Sequence, residues 1–236
     1  MVDATSAKQV GARLLGEIEE GSLEELLNSL RAKFAIHSTR PPDPKIPIPE
    51  LNGIVSRYLK ATQSAPPPLL STSGRYLALL YHLISTLIAA PHNFTVVLVD
   101  TENRFDVTRL VAPGSTPAPG YPATLSDLKH LHIYRPPRGQ EQVRAAIAAA
   151  EEFMLYGTHG SRDREWWGTV VIGGTGGDIN AGWKGWLRVE REEVGGFNVG
   201  ISVEEALGER NRRQEMVDAA GWVASSRWGS YAWKEP

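Results

Sequence analysis

The feature that most constrains the fold is an apolar stretch that runs directly into acidic residues. Val96–Val99 are four consecutive β-formers, and Asp100, Thr101 and Glu102 follow them. A short apolar run between helical stretches is typical of a strand buried on both faces of a parallel sheet. Function in such sheets gathers at the carboxyl ends of the strands, so the two carboxylates occupy the expected position of a site. An acid there could activate a water molecule or hold a metal, or it could be an ordinary solvated strand exit.

Helical and strand patterns alternate along the rest of the chain. The segments with a recognisable period are helix 50–62, helix 76–90, strand 95–99, a short helix 105–111, strand 131–134, helix 140–156, strand 169–172 and a mostly helical stretch 202–224. Short apolar strands that alternate with helices predict an α/β fold with a doubly wound, mostly parallel sheet.

The first part of the chain has a different character. Leucines recur at helical spacing from Ser6 to Phe34, and five prolines then fall between Arg40 and Pro49. Prolines at this density predict an extended linker rather than a packed element. We therefore expect a short helical N-terminal arm with a proline-rich linker over residues 1–65, and a core domain over 66–236.

Composition excludes several classes of protein. The chain has no cysteine, which rules out disulfides and thiolate metal sites. Its formal net charge is −2, so any contact with nucleic acid must be local or supplied by a partner. We expect neither a membrane protein nor a secreted one, because no apolar run could span a bilayer and no signal-peptide pattern opens the chain.

The residues around Glu102 resemble a known family. The Asp-Thr-Glu at 100–102, followed by Phe105 and Arg109-Leu110, is similar to a segment of the RecA-family recombinases and their eukaryotic paralogues. In that family the glutamate at the position of Glu102 polarises the water that attacks the γ-phosphate. The stretch Gly74–Leu83 is similar to the place where the family's phosphate-binding loop runs into its helix. The resemblance is loose over most of the chain and specific over 74–110, and it implies a RecA-like P-loop ATPase fold.

The aligned phosphate loop departs from the family pattern. A working loop reads G-x-x-x-x-G-K-[ST], in which the lysine neutralises phosphate charge and the hydroxyl binds magnesium. The segment Leu69–Tyr76 keeps only Gly74, with Arg75 at the lysine position and the bulky Tyr76 at the hydroxyl position. The guanidinium of Arg75 could still pair with a phosphate. Gly74, Arg75 and Tyr76 are therefore the candidate nucleotide-binding residues of a degenerate loop, and an ordinary helix start is the competing interpretation that we favour.

The family's magnesium-holding acid is also missing. It should end an apolar strand, but the matching strand 170–172 is followed by Gly173-Gly174, and Asp178 comes a few residues late. Only Glu102 remains in place, as a vestigial water-activating acid. The resemblance thus implies ATP and magnesium as ligands with the features that bind them largely lost, little independent ATPase activity, and no separate metal site.

One aromatic and basic cluster is a candidate DNA-binding surface. Trp183, Lys184, Trp186 and Arg188 combine indole rings with cations, which is how proteins hold single-stranded nucleic acid without sequence preference. The resemblance places them near one of the family's two DNA-contacting loops. Burial of the tryptophans against the sheet or a partner is the alternative, and neighbouring glutamates cancel the charge.

The resemblance implies a non-catalytic or weakly catalytic recombinase paralogue. Such a subunit would belong to a nuclear complex that assists the strand-exchange recombinase in homologous-recombination DNA repair. Its implied partners are another recombinase paralogue subunit and single-stranded or branched DNA, reached through the complex. The alternatives are an active DNA-dependent ATPase of the same fold and an unrelated dinucleotide-dependent α/β enzyme. The latter would use the loop Gly173–Gly177, and it requires a helix directly after that loop.

The end of the chain carries one further expectation. In the family, the helix around Met216 is followed by further strands, and here the tail 228–236 is long enough for at most one edge strand. The sheet is therefore expected to be either truncated at its C-terminal side or completed by a partner.

Overall fold

The computed structural model describes residues 46–63, 68–111, 122–194, 200 and 202–234. The chain divides into two compact units, Met1–Asp43 and Pro44–Pro236, and every described residue belongs to the second unit. This division comes earlier in the chain than the predicted boundary at residue 65. The helices predicted between Ser6 and Phe34 lie outside the described residues.

The second unit alternates helices with short strands. In chain order the elements are α1 Pro49–Thr62, β1 Leu70–Gly74, α2 Tyr76–Ile88, β2 Thr95–Asp100, β3 Leu131–Tyr134, α3 Gln140–Tyr156, β4 Trp166–Ile172, β5 Ile179–Ala181, β6 Leu187–Arg191, α4 Val203–Gly208, α5 Arg210–Ala219, β7 Trp222–Ser226 and β8 Gly229–Trp233. Two short 3₁₀ helices, Val107–Leu110 and Asp127–His130, precede and follow the gap in the described residues. None of the described helices combines the length and apolar character needed to cross a bilayer.

The eight strands form one mixed sheet in the order β3-β2-β4-β5-β1-β6-β7-β8. The strands from β3 to β6 in this order are parallel, and β7 and β8 are added antiparallel as a hairpin. The prediction of an α/β class with a mostly parallel sheet is therefore confirmed. The predicted helix over 202–224 is wrong at its end, since Trp222 and Ala224 alternate with more exposed residues and form β7. The tail supplies the edge strand β8.

Helices cover the sheet from both sides. Val96 and Leu98 of β2 belong to the large core cluster that includes α1 and α2, whereas Val97 and Val99 pack on the other side with Val143 of α3. Successive strand residues point to opposite faces, so a strand buried on both sides must be apolar throughout. The continuous apolar run of β2 therefore places Asp100 at the end of the most enclosed part of the sheet.

Two connections between parallel strands are unusually short. Residues 173–178 join β4 to its neighbour β5, and residues 182–186 carry the chain across β1 to β6. A parallel connection ordinarily needs about a dozen residues or more. Glycine permits the close passage, because a Cβ on Gly185 would lie 2.5 Å from the backbone carbon of Thr72, and one on Gly176 would lie 2.8 Å from Ile147. Both connections therefore lie directly against their neighbours.

Candidate functional site

The carboxyl end of β2 forms a turn organised by a buried acid. Asp100 is fully buried, and its oxygens accept hydrogen bonds from the backbone N–H groups of Glu102 at 3.1 Å and Phe105 at 2.9 Å. The Thr101 hydroxyl donates to the carbonyl of Ile172 at 2.9 Å, which ties the turn to β4. Asp100 thus has a structural role, and Glu102 is the acid of this pair that the turn presents to a site.

Two side chains hold the Glu102 carboxylate. The Tyr76 hydroxyl at the start of α2 donates to it at 2.8 Å, and the Arg104 guanidinium donates to the same oxygen at 3.2 Å. Burial, and then the hydrogen bond to Glu102, raises the pKa of Tyr76 to about 12. The phenol therefore stays protonated at neutral pH and acts as a donor. Glu102 is therefore held by a hydrogen bond from Tyr76 and an ion pair with Arg104.

The end of β4 carries glycine where the family expects the magnesium-holding acid. Gly173 has φ +73°, and a Cβ there would lie 2.6 Å from both Glu102 Cγ and Thr101 Oγ1. A side chain at this position would be strained and would displace Glu102. Asp178 does not replace the acid, because it lies at the opposite end of β4 and accepts the backbone N–H of Thr169 at 2.8 Å.

The segment aligned with the phosphate loop is a strand. Its residues form β1, which pairs with β5 through Leu70–Thr72 and with β6 through Thr72–Gly74. A Cβ on Gly74 would lie 2.5 Å from the Val189 carbonyl oxygen, and the N–H of Arg75 donates to that oxygen at 2.8 Å. These backbone groups serve the sheet, so they do not wrap into an anion cradle. Gly74, Arg75 and Tyr76 nevertheless lie together at the start of α2.

A cavity of about 160 Å³ opens at this helix start. It is lined by the first turn of α2 together with Arg75, Arg104, Arg109 and Trp222. The indole N–H of Trp222 is buried and has no hydrogen-bond partner among the described residues. Guanidinium groups and the N-terminus of a helix both favour an anion. The cavity is smaller than the roughly 300 Å³ at the lower end of ligand pockets, so it suits a phosphate-sized group better than a whole nucleotide.

The predicted DNA-binding residues separate into two groups. Trp186 is a packing residue, because its ring stacks on Tyr58 with centroids 4.2 Å apart and meets Trp228 edge-on at 5.4 Å. Trp183, by contrast, is 84% exposed, and Lys184 Nζ lies 4.1 Å from its ring centroid. Of the two tryptophans, Trp183 is exposed and Trp186 is half-buried.

Arg188 forms an ion pair with an acid of its own strand. It is exposed on β6, and its guanidinium is 2.7 Å from the carboxylate of Glu190. The positive charge that would meet a phosphate is therefore shared with an acid on the same face of the strand. Lys184 beside Trp183 is the cation best placed to act with an exposed ring.

The glycine-rich loop after β4 has a packing role. A Cβ on Gly174 would lie 3.1 Å from Val143 of α3 and from Val171 of β4, so the loop is confined between helix and sheet. Strand β5 follows it directly. The helix that a dinucleotide site would require after Gly173–Gly177 is absent from this part of the described chain.

Arg104 and Trp222 line the site, and no motif in the sequence predicts their role. Arg104 follows Glu102 by two residues at the carboxyl end of a strand, and this proximity was the available signal. Trp222 gave no local signal, because antiparallel pairing of β7 with β6 brings it to the start of α2. Within the described ranges, no group of three or more histidine or acidic side chains could hold a metal ion.

Comparisons with known proteins do not assign a family. No protein-family model matches the chain, and neither a curated protein nor a solved structure is significantly similar to it. The functional interpretation therefore rests on residues 74–110 and on the geometry around Glu102.

Proposed function

We propose that this chain is a RecA-like recombinase paralogue with little or no ATPase activity of its own. It would serve as a subunit of a nuclear complex that assists the strand-exchange recombinase in homologous-recombination DNA repair. The observation that carries the proposal is the 2.8 Å hydrogen bond between Tyr76 and Glu102. These residues align with the family's magnesium-binding hydroxyl and water-activating acid. Folding brings the two positions together although they are 26 residues apart, which supports the alignment.

The same contact argues against hydrolysis. A general base needs a free lone pair within hydrogen-bond reach of the proton that it abstracts. One Glu102 oxygen accepts from both Tyr76 and Arg104, so these two donors compete with a water molecule for that oxygen. The tyrosine also occupies the position of the magnesium ligand, and Gly173 leaves no acid to hold the ion through water.

A subunit of this kind can still contribute to a shared nucleotide site. In the family the nucleotide lies between adjacent protomers, so a non-hydrolysing protomer can present one face of it. Arg75 is exposed at the start of α2 and lines the small cavity there, which suits a contact with a phosphate of a neighbour's nucleotide. ATP and magnesium would then be held mainly by the partner subunit.

Contact with DNA would depend on the exposed loop before β6. Trp183 with Lys184 above its ring can stack on a base and meet a phosphate, in the manner of sequence-independent single-strand binding. The chain is slightly acidic overall, so this contact should be weak in isolation and gain strength in a complex.

The first experiment measures nucleotide binding and hydrolysis. Purified protein is titrated with a fluorescent ATP analogue with and without magnesium, and phosphate release is followed with and without single-stranded DNA. We expect no release above background, and no change in Glu102→Gln or in the control Glu190→Gln. Magnesium-dependent release that is lost in Glu102→Gln but kept in Glu190→Gln would instead favour the active DNA-dependent ATPase.

The second experiment tests the complex. The chain is co-expressed with recombinase paralogues of its own source, and co-purification and recombinase loading on single-stranded DNA are measured. We expect a stable complex that raises loading, with weaker DNA binding in Trp183→Ala than in the control Trp167→Ala. Failure to co-purify with any paralogue, together with an exclusively non-nuclear location of the tagged protein, would contradict the proposal.

A further inference from the structure

We propose that a second cavity, at the opposite end of β4 from Glu102, binds an organic cation: an ammonium or guanidinium group. The cavity has a volume of about 390 Å³ and lies between α3 and the amino ends of β4 and β5. This volume falls within the roughly 300–1,000 Å³ of ordinary ligand sites and accommodates a lysine or arginine side chain. The cavity shares no residue with the site at Glu102.

An indole forms one wall of this cavity. Trp166, the first residue of β4, lines it, and its ring N–H already donates to the carbonyl of Gly168 at 3.1 Å. With its N–H engaged, the indole offers a ligand its π surface rather than a donor. A cation over the face of tryptophan is the most favourable cation–π arrangement.

Two carboxylates supply negative charge without a basic counterpart. Glu151 of α3 and Asp178 before β5 line the cavity, and its lining includes no lysine or arginine. Neither carboxylate forms an ion pair with any residue that the structure describes. Their charge is therefore available to a ligand, and it opposes a phosphate or any other anion.

The position of Asp178 is fixed by the backbone around it. One of its oxygens accepts the N–H of Thr169 at 2.8 Å, and its own N–H donates to the Thr169 carbonyl at 2.8 Å. Glycine is required on both sides, because a Cβ on Gly168 would collide with the Asp178 carboxylate and one on Gly177 would lie 2.7 Å from the Thr169 carbonyl oxygen. The other Asp178 oxygen has no partner among the described residues.

Thr169 provides an independent indication of a missing partner. This residue is 2% exposed, lines the cavity, and belongs to the face of β4 that also carries Trp166 and the α3-facing Val171. Its hydroxyl oxygen has no hydrogen-bond partner within the described part of the chain. Buried hydroxyls are normally satisfied, so an unpaired one beside a polar cavity is matched by a ligand donor. An ammonium or guanidinium group carries several N–H donors and no acceptor, which fits the carboxylates, the hydroxyl and the indole face together.

The test uses the full chain and small cations as probes. Tryptophan indole N–H resonances are recorded by NMR, with Trp166→Phe assigning the relevant signal, during titration with N-acetyl-arginine amide, N-acetyl-lysine amide and the neutral N-acetyl-glutamine amide. We expect saturable shifts of the Trp166 signal with both cations and none with the neutral amide. Glu151→Gln and Asp178→Asn should each weaken binding by about threefold or more, as expected for a partly exposed ion pair. The control Glu152→Gln, which removes an exposed charge next to Glu151, should bind as the wild type does.

A folding control and a second cationic probe complete the test. Asparagine at position 178 retains an oxygen for the Thr169 N–H, and unchanged thermal unfolding of that variant shows that lost binding is not lost folding. Spermidine is titrated in parallel: tighter binding than the amides identifies a free polyamine as the natural cation, and weaker binding identifies a basic side chain of a partner. An equal response to the neutral amide, wild-type affinity in both acid variants, or no saturation by about 20 mM cation would overturn the proposal.

Discussion

Three histidines contact one buried serine beside β3, and the stability of the protein should depend on pH through two of them, His130 and His132. Ser161 Oγ lies 3.0 Å from His130 Nδ1 and 3.2 Å from His132 Nε2, and the Ser161 N–H donates to His159 Nδ1 at 3.3 Å. Because Nδ1 of His159 accepts, its proton resides on Nε2, which donates to the Met154 carbonyl at 3.1 Å.

The environment disfavours the charged form of two of these rings. Burial lowers the pKa of His130, and the neighbouring positive charges lower it further. The charged groups that act on it are Arg164 and Lys129, with Asp163 and Asp127 opposing them. Burial also lowers the pKa of His132, and His159 adds to the effect.

The sign of the pH effect follows from these lowered values. An unfolded histidine has a pKa of about 6.5, and the folded pKa of His130 and His132 lies below it. Above about pH 7, His130 and His132 are neutral in the folded and in the unfolded protein, and the free energy of unfolding is highest there. As the pH falls below about 6.5, the unfolded state takes up protons first, so stability decreases until the folded pKa values are passed.

The Ser161→Ala variant measures how much the contacts of this serine contribute to the free energy of unfolding. It removes the hydroxyl contacts to two rings, and His130, at 1% exposure, is left with an unsatisfied buried nitrogen. The unsatisfied nitrogen of His130 should cost about 1–3 kcal/mol and the lost bond to the half-buried His132 about 1 kcal/mol, so the free energy of unfolding should fall by about 2–4 kcal/mol near pH 7.5.

Urea unfolding at about pH 7.5, 6.5 and 5.5 tests this reasoning. The wild type should lose stability toward the lowest pH, and the double variant His130→Gln/His132→Gln should show a smaller dependence. His92→Gln is the control, because His92 lies outside the cluster and stacks on Phe94. A free energy of unfolding that stays constant over this range, or a Ser161→Ala variant within about 0.5 kcal/mol of wild type, would refute it.

Three further predictions concern packing, each measured by urea unfolding at neutral pH. Gly185→Ala should lower the free energy of unfolding by about 2 kcal/mol or more, because the new Cβ would lie 2.5 Å from the backbone of β1. An unchanged urea midpoint would contradict the close contact between residues 182–186 and β1. Trp186→Ala should lower the free energy of unfolding by about 3–5 kcal/mol, because its ring packs on Tyr58. Trp183→Ala, at a position 84% exposed, should change it by no more than about 0.5 kcal/mol. A larger loss for Trp183→Ala than for Trp186→Ala would contradict the conclusion that Trp186 is the packing residue. Arg164→Met should lower the free energy of unfolding by about 3 kcal/mol, because it removes the ion-pair partner that lies 3.0 Å from the largely buried Asp127 carboxylate. An unchanged free energy of unfolding would mean that this carboxylate finds another donor.

The elements with a strong period were predictable from the sequence. Strand 131–134 and helix 140–156 have the bounds that their spacing predicts, and the strand that ends at Asp100 is where its apolar run indicates. In each case a single segment carries enough apolar contrast to identify its own secondary structure. The position of Glu102 at a strand end follows from the same pattern.

Strand β1 could not be predicted in this way. Ser71, Thr72 and Ser73 are polar, and in the sequence their segment resembles a degenerate phosphate loop. In the structure the hydroxyls of Thr72 and Ser73 donate to the carbonyls of Asn180 and Gly185, which lie more than a hundred residues away in the chain. The strand is specified by its neighbours rather than by its own pattern.

The site illustrates the same limit. Glu102 was identified from local sequence, but its contact with Tyr76 depends on how α2 is placed against β2, and no local pattern encodes that placement. The tryptophans of the segment 182–186 look alike in the sequence. Only the packing of Trp186 against Tyr58 of α1 distinguishes it from the exposed Trp183.

Strand β1 lies between β5 and β6, and this position constrains the order in which the sheet can form. Leu70 pairs with Ile179 and Gly74 with Val189, so both neighbours of the first strand come from one short segment late in the chain. Contacts at such sequence separation form slowly, because the intervening loop must close first. During synthesis, Arg75 and the start of α2 must therefore wait for residues 179–191 to emerge before the preceding strand β1 is fixed. The first strand in the described part of the chain is therefore among the last to be paired, and until then β1 is an unpaired strand that a chaperone or a partner subunit can reach.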